Sequence, residues 1–198
     1  MKNSTKNNLI KLYNQVINKK NLSISQNIFN DWNHVEECFF ETLKKYESIN
    51  YIILGEATVN YQNYFYNPNS SQTSFLNPSH FNKNSKSDLI EFLIEKGILI
   101  FDLYPIPLPT FIYDNIKFNF KEEDEEYKTI LGQHFKPLKD KIKNDKPELI
   151  IRYSKIKKRP EYAYFIEYFK EKFTSISDIS KDINADPIKI SSKFDHLF

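Results

Sequence analysis

The segments Tyr51–Gly55 (YIILG) and Ile98–Asp102 (ILIFD) decide the fold of this chain. Each is a run of four apolar or aromatic residues that stops at a turn residue or a polar residue. Such runs are typical of strands that are buried on both faces. A helix over 88–96, capped by Ser87, is predicted between them. A strand, a helix and a strand in this order predict parallel pairing.

Two further strands complete the pattern. Leu149–Ile151 is a third apolar run, and Thr174–Ile179 is predicted as a fourth strand. The spacing of apolar residues predicts the remaining helices over 9–19, 31–46, 122–144 and 162–173, with a short one after Pro187. This alternation predicts the α/β class: a three-layer sandwich with a central, mostly parallel four-stranded sheet flanked by helices.

Length and composition limit the class of protein. The chain has 198 residues and a mass of 23.7 kDa, so residues 1–198 are expected to form a single domain, with the polar residues 1–8 frayed. Cys38 is the single cysteine, which excludes a disulfide framework. Because no apolar run reaches the roughly 18 residues of a membrane span and no signal peptide is recognised, a cytoplasmic protein without a membrane partner is expected. We also expect a monomer.

The rare residues are more informative than the abundant ones. The many aromatic residues, lysines and asparagines match AT-rich codons, and a net charge of +2 neither demands nor excludes a polyanionic partner. Gly55 and both arginines, Arg152 and Arg159, stand near the ends of predicted strands. The chain has three glycines and no glycine-rich phosphate loop, and its histidines and cysteine do not cluster. Neither a metal nor a cofactor is therefore expected.

The loop after the first strand is the first candidate site. Ligands of parallel sheets bind at the carboxyl ends of the strands, and Gly55, Glu56, Ala57 and Thr58 stand at such an end. A loop rich in rings and amides follows, which suits a flat ligand that forms hydrogen bonds. Its rings are Tyr61, Tyr64, Phe65, Tyr66, Phe75 and Phe81. Two alternatives stay open: the loop packs over the sheet, and Glu56 only caps a neighbouring N–H.

Two of these motifs resemble those of the uracil-DNA glycosylase superfamily. Residues 52–58 (IILGEAT) resemble its strand that ends in Gly-Glu-Ala-Pro, and residues 97–102 (GILIFD) resemble its strand that ends in a base-reading Asn. Asp102 occupies the position of that Asn. The order of the motifs, their spacing and the fold class agree with the superfamily over about residues 49–180.

The resemblance implies roles for individual residues. Glu56 and Asp102 are the implied catalytic residues, and Phe75 is the implied ring that stacks on a flipped base, with Tyr64 and Tyr66 as competitors. The implied substrate-binding residues are Gly55, Ala57, Thr58, Tyr64, Tyr66, Phe75 and Tyr104. A donor other than the family's histidine must stabilise the departing base, because the chain has no His-Pro pair in 180–187. The chain also departs from the family at Thr58, where the family has Pro. Structural or surface roles are expected for His34, His80, His134 and His196.

Asp102 changes the base that such a pocket prefers. An ionised carboxylate only accepts hydrogen bonds, whereas the amide of Asn both donates and accepts. Asp102 therefore favours a base edge that presents N–H groups, such as the amino side of cytosine, over the O4 edge of uracil. The alternative is that Asp102 caps a turn before Tyr104.

A basic segment follows the third strand. Arg152, Lys155, Lys158 and Arg159 are expected to bind the phosphates of a nucleic acid, because Arg in particular makes bidentate contacts to phosphate. The alternative is an ordinary solvated loop in a lysine-rich chain.

The sequence thus predicts a DNA glycosylase-like hydrolase. It would flip a base, which is open to modification, and cleave its N-glycosidic bond, in base-excision repair or in defence against modified phage DNA. DNA is the expected partner, single-stranded or double-stranded. The alternative is a catalytically inert module with this fold that binds nucleic acid or protein.

Overall fold

The fold is described from a computed structural model. It describes residues 1–18, 28–58, 60–70, 76–105, 125–152, 154–179 and 191–197, with 13–18 and 154 described by their backbone alone.

Helices and strands alternate along most of the chain. The helices are α1 (Asn3–Asn18), α2 (Ile28–Lys45), α3 (Lys86–Glu95), α4 (Glu125–Lys141) and α5 (Pro160–Phe169). The strands are β1 (Tyr51–Gly55), β2 (Ile98–Asp102), β3 (Glu148–Ile151) and β4 (Ile176–Asp178). Short 3-10 turns lie at Tyr61–Asn63, Pro78–Phe81, Ser154–Lys158 and Asp195–Leu197.

The four strands form one sheet in which every pair is parallel. Its order is β2-β1-β3-β4, and the register places Gly55 beside Asp102 and Leu54 beside Ile151. The predicted α/β class and four-stranded central sheet are confirmed. The chain moves from β1 to one edge of the sheet at β2 and then returns past β1 to β3. The order therefore reverses between β1 and β3, and the carboxyl ends of these two strands flank the crevice where such sheets bind ligands.

The sheet is the centre of the hydrophobic core. The inner positions of β1, β2 and β3 are buried, as is typical of parallel strands with helices on both faces. Two tyrosines close the outer edge of β2. The Tyr46 hydroxyl donates to the carbonyl of Ile98 (2.8 Å), and the N–H of Ile100 donates to the Tyr66 hydroxyl (2.7 Å). These bonds pair edge groups that otherwise need water or another strand.

The N-terminal segment is helical where fraying was expected. Helix α1 begins at Asn3, and Lys6 is 1% exposed. Its ammonium contacts Asn33 Oδ1 (2.6 Å) and Glu36 Oε2 (2.8 Å) of α2. These contacts fix the first turns of α1, and the prediction of a frayed segment over 1–8 is corrected from residue 3 onward.

The start of α3 also differs from the prediction. The side chain of Ser85, not that of Ser87, caps the helix by accepting from the N–H of Asp88 (3.1 Å). A cap stabilises a helix by pairing one of its free N–H groups, and either serine has the hydroxyl that this requires. In the described parts of the chain, no helix combines the length and the apolarity that crossing a bilayer requires.

Candidate functional site

Glu56 lies in the crevice between β1 and β3 and is held by two cations. Its Oε1 accepts from Nε (3.1 Å) and Nη2 (2.9 Å) of Arg159, and its Oε2 lies 3.1 Å from Nζ of Lys155. The Glu56 side chain is 6% exposed, against 15% for Arg159 and 45% for Lys155. The strand ends explain this meeting: Glu56 follows β1, whereas the cations lie in the segment that connects β3 to α5.

Asp102 lies beside Glu56, at the end of the neighbouring strand. Its Oδ1 occupies the space into which any side chain at position 55 would project, so Gly55 lets the carboxylate cross the end of β1. The backbones of the two loops are joined as well. The N–H of Leu103 donates to the carbonyl of Gly55 (3.1 Å), and that of Tyr104 donates to the carbonyl of Glu56 (2.9 Å).

Burial raises the pKa of the Asp102 carboxyl to about 6. Arg152 opposes the shift and Glu56 reinforces it. Both are expected, since an opposite charge favours the carboxylate and a like charge disfavours it. Asp102 is therefore the group of this site that changes its protonation close to neutral pH, which is the range in which acid–base chemistry is useful.

Asp102 also lines a small cavity walled by rings. The cavity has a volume of about 50 Å³ and lies among α2, α4 and the carboxyl end of β2. Four predicted site residues line it: Thr58, Tyr64, Asp102 and Tyr104. Its other walls include Trp32, Phe39, Phe101 and His134. Apolar walls with a few polar groups are typical of small-molecule sites.

His134 belongs to this cavity although the sequence predicted only a structural or surface role for it. Its Nε2 lies 2.8 Å from the backbone carbonyl of Asp102, and its ring stacks on Phe101 at 4.9 Å. A carbonyl oxygen only accepts, so Nε2 carries the proton. Burial lowers the pKa of His134 to about 4, which keeps the ring neutral at pH 7. Helical spacing places His134 on α4 but says nothing about its contact with β2.

Glu161 is a second functional-site candidate that sequence reasoning missed. It lies in the first turn of α5, is 0% exposed and accepts from the Tyr127 hydroxyl at Oε1 (3.0 Å). Burial raises the pKa of its carboxyl, while the nearby Arg159 opposes the shift. The sequence Arg159-Pro160-Glu161 at the start of α5 was the available signal. It places an acid and an arginine two positions apart, and charged residues that are buried are normally paired.

The other residues predicted to bind substrate do not all lie at the cavity. Burial raises the pKa of the Tyr64 phenol, and the nearby Asp102 carboxylate adds to the rise. The Tyr66 hydroxyl instead accepts a hydrogen bond at the edge of β2. Ala57 packs against the core, and the Thr58 hydroxyl donates to the carbonyl of Asn60 (3.2 Å). Phe75 and the segment 180–187 lie outside the described residues.

The four residues of the basic segment do not share one set of contacts. Lys155 and Arg159 bind Glu56, Arg152 lies close enough to Asp102 to oppose the burial that raises its pKa, and Lys158 is exposed. Of the alternatives left open by the sequence, a purely solvated basic loop does not fit Arg159, which is 15% exposed. In the part of the chain described, no three His, Cys, Asp or Glu side chains group as metal ligands.

Comparison with protein-family models, with curated proteins and with solved structures found no match to this chain. The resemblance to the uracil-DNA glycosylase superfamily therefore stays a prediction based on the residues of the two strand ends.

Proposed function

We propose that this protein hydrolyses the N-glycosidic bond of a base in DNA. The observation that carries the proposal is the position of Asp102. Its carboxylate lines a ring-walled cavity and lies at the strand end directly beside the loop that carries Glu56. A base recognised by one carboxylate would thus have the second carboxylate near its sugar.

Glu56 would act on the sugar side of the bond. Breaking the bond between the base nitrogen and C1′ leaves positive charge on the sugar ring, and a nearby carboxylate stabilises that charge or orients the attacking water. Water adds its hydroxyl to C1′, and its proton goes to the departing base. Arg159 and Lys155 fix the direction of both Glu56 oxygens. Such pre-organisation is what electrostatic catalysis requires.

Asp102 would act on the base. At neutral pH its carboxylate accepts hydrogen bonds, which favours a base with N–H groups on its edge. This preference supports a target other than uracil, including a modified base in phage DNA. Exposed Lys158, together with Arg152, would bind the phosphates on either side of the flipped nucleotide.

Formation of abasic sites tests the proposal. Single-stranded and duplex DNA carrying uracil, cytosine, hydroxymethylcytosine or a glucosylated base is incubated with the protein and then treated with alkali. Strand breaks at one of these bases are expected. They should fall at least about 100-fold in Glu56→Gln and in Asp102→Asn, in the range that positioned acid–base groups contribute. Glu91→Gln, which changes an exposed carboxylate of α3, is the matched control and should cleave like the unchanged protein.

One observation favours a second candidate function. Both oxygens of Glu56 are already held by cations, so the carboxylate serves equally well as a structural tie between β1 and α5. In that case the protein would bind nucleic acid or protein without cleavage. Retention of DNA in a binding assay, with no abasic sites across the whole panel of bases, would establish this function in place of hydrolysis.

A further inference from the structure

Glu161 carries a buried oxygen that the fold leaves without a hydrogen bond. Its Oε1 accepts from the Tyr127 hydroxyl (3.0 Å), whereas its Oε2 is buried and has no hydrogen-bond partner among the described residues. Polar groups inside a protein are normally paired, so an exception of this kind calls for an explanation. The hydrolysis proposed for Glu56 and Asp102 does not use this carboxyl.

Tyr104 connects Glu161 to the cavity. It lines the cavity, and its hydroxyl forms a hydrogen bond with the carboxyl of Glu161. The backbone N–H of Tyr104 donates to the carbonyl of Glu56 (2.9 Å), which fixes Tyr104 beside the loop that carries the other carboxylate. A fully buried acid therefore lies one hydroxyl group behind the wall of the cavity.

The surroundings of Glu161 favour its protonated form. Burial raises the pKa of the carboxyl, because the protein interior disfavours a charge. Hydrogen bonds from its own N–H, from Tyr127 and from Tyr104 oppose the rise, as does the charge of Arg159, without cancelling it. An ionised carboxylate would also leave Oε2 buried without a donor, which is costly.

We infer that Glu161 and Tyr104 together supply the proton that the departing base requires. A protonated carboxyl donates its O–H to the phenol oxygen, so that the proton of Tyr104 can point into the cavity, whereas an ionised carboxylate holds that proton. Tyr104 is then the catalytic residue that contacts the base, and Glu161 is a positioning residue that acts only through it. The inference rests on the proposed function in taking a DNA base as the leaving group.

The two proton transfers occur in one step. As the bond between C1′ and the base nitrogen breaks, its electron pair stays on the base, which takes the proton of Tyr104. Glu161 gives its own proton to the phenol oxygen at the same time, so no phenolate forms. This replacement is needed because burial raises the pKa of Tyr104 and makes a phenolate unfavourable. Water adds its hydroxyl to C1′ and its proton restores Glu161, which makes water the net source of the proton on the base.

The rate of abasic-site formation in single turnovers, measured as a function of pH, tests the inference. The substrates are single-stranded and duplex DNA carrying uracil, cytosine, hydroxymethylcytosine or a glucosylated base. Because the donor has to be protonated, the rate should fall as the pH rises through the pKa of Glu161. Glu161→Gln and Tyr104→Phe should each lower the rate at least about 100-fold, and Glu161→Gln should remove this fall. Glu167→Gln, which changes an exposed carboxylate of α5, is the matched control and should behave like the unchanged protein.

Tyr127→Phe separates proton donation from packing. It keeps the ring but removes a hydrogen bond that stabilises ionised Glu161. The pKa of Glu161 should therefore rise, and the fall in rate should move to higher pH, a shift that a purely structural role of Glu161 does not give. Infrared difference spectra between the unchanged protein and Glu161→Gln at neutral pH measure the protonation directly, and a carboxylic-acid carbonyl band is expected.

Several outcomes would overturn the inference and leave the proposed hydrolysis standing. These are cleavage by folded Glu161→Gln or folded Tyr104→Phe at the rate of the unchanged protein, an unshifted pH profile in Tyr127→Phe, and the lack of the carboxylic-acid band. Thermal unfolding checks each variant, and Tyr104→Phe decides the matter if Glu161→Gln does not fold. If the unchanged protein forms no abasic sites at any of the bases, the hydrolysis fails and the inference fails with it.

Discussion

The carboxylate of Asp102 occupies the position that a side chain at Gly55 would need. The two residues are register partners at the ends of β1 and β2, and Oδ1 of Asp102 crosses over the glycine. This contact brings the carboxylate of one strand to the loop that carries Glu56 on the next. The site therefore depends on glycine at position 55 as much as on its charged groups.

Replacing Gly55 with Ala tests this contact. The new methyl group has to push Asp102 aside, and such overpacking costs about 1–3 kcal/mol of unfolding free energy. In an Asp102→Ala background the cost should nearly vanish, because the clashing oxygen is gone. Urea denaturation of the four proteins in this cycle measures the coupling.

Gly132→Ala is the matched control for this cycle. Gly132 lies in α4, and its added methyl group would come no closer than 3.4 Å to the Tyr164 hydroxyl. Because Ala stabilises helix interiors relative to Gly, this change should be neutral or stabilising by up to about 1 kcal/mol. An equal loss of stability from Gly55→Ala with and without Asp102 would show that the clash is not the cause.

The raised pKa of Asp102 predicts how stability depends on pH. The folded protein holds this proton up to about pH 6, whereas the unfolded chain releases it near pH 3.8. The stability contributed by protonated Asp102 is therefore complete below pH 3.8 and is lost as the pH rises through 6. Relative to Asp102→Asn, the unchanged protein should lose up to about 3 kcal/mol between pH 4 and pH 7.5. Parallel curves for the two proteins in urea titrations at each pH would contradict the shift.

The lowered pKa of His134 predicts that its contribution to stability depends on pH in the opposite direction. Its pKa is lowered to about 4 in the folded protein from 6.5, so the unfolded chain takes up this proton first as the pH falls. Stability from the neutral imidazole is complete above pH 6.5 and is lost on acidification toward pH 4, by up to about 3 kcal/mol. His134→Phe should lack this loss when its unfolding free energy is compared with that of the unchanged protein. A ring that titrates near pH 6.5 in NMR spectra would sink the prediction.

Arg159 is expected to be required as long as Glu56 is charged. Arg159→Gln leaves a nearly buried carboxylate without its main partner, which costs about 3–5 kcal/mol. Glu56→Gln in the same chain should recover most of this loss. Lys136→Gln removes one member of an exposed pair with Asp140 and should leave the free energy of unfolding nearly unchanged, because water screens such a pair. Chemical denaturation measures the unfolding free energy of each variant. If the double variant is no more stable than Arg159→Gln alone, Glu56 and Arg159 do not stabilise each other.

The sheet was predictable because each inner strand is a continuous apolar run that can be recognised from a few neighbouring residues. Apolar runs such as 98–101 have no polar position to place on a solvent face, which leaves a parallel, doubly covered strand as their structure. The same local information predicted that the residues after β1, β2 and β3 share one edge. Element ends were less certain: Ser85 and Ser87 are both competent caps, and packing selected Ser85.

The contacts within the site were not predictable from local patterns. Arg159 was assigned to phosphate, yet the fold brings a buried acid to it from 103 residues away along the chain. His134 lies on α4 at a spacing that fits a core helix, and its role follows from a carbonyl on β2. Lys6 is similar, since a lysine near a chain end is normally solvated and here pairs with α2. Each of these depends on tertiary packing between distant segments.

The central claim is that Asp102 and Glu56 cleave an N-glycosidic bond together. Its most direct test is the count of abasic sites formed in DNA that carries uracil, cytosine, hydroxymethylcytosine or a glucosylated base, with the unchanged protein, Asp102→Asn and Glu56→Gln side by side. Abasic sites are expected at a base that carries an exocyclic amino group, and they should be lost in both variants. Abasic sites that persist in both folded variants, or their absence at every base tested, would contradict it.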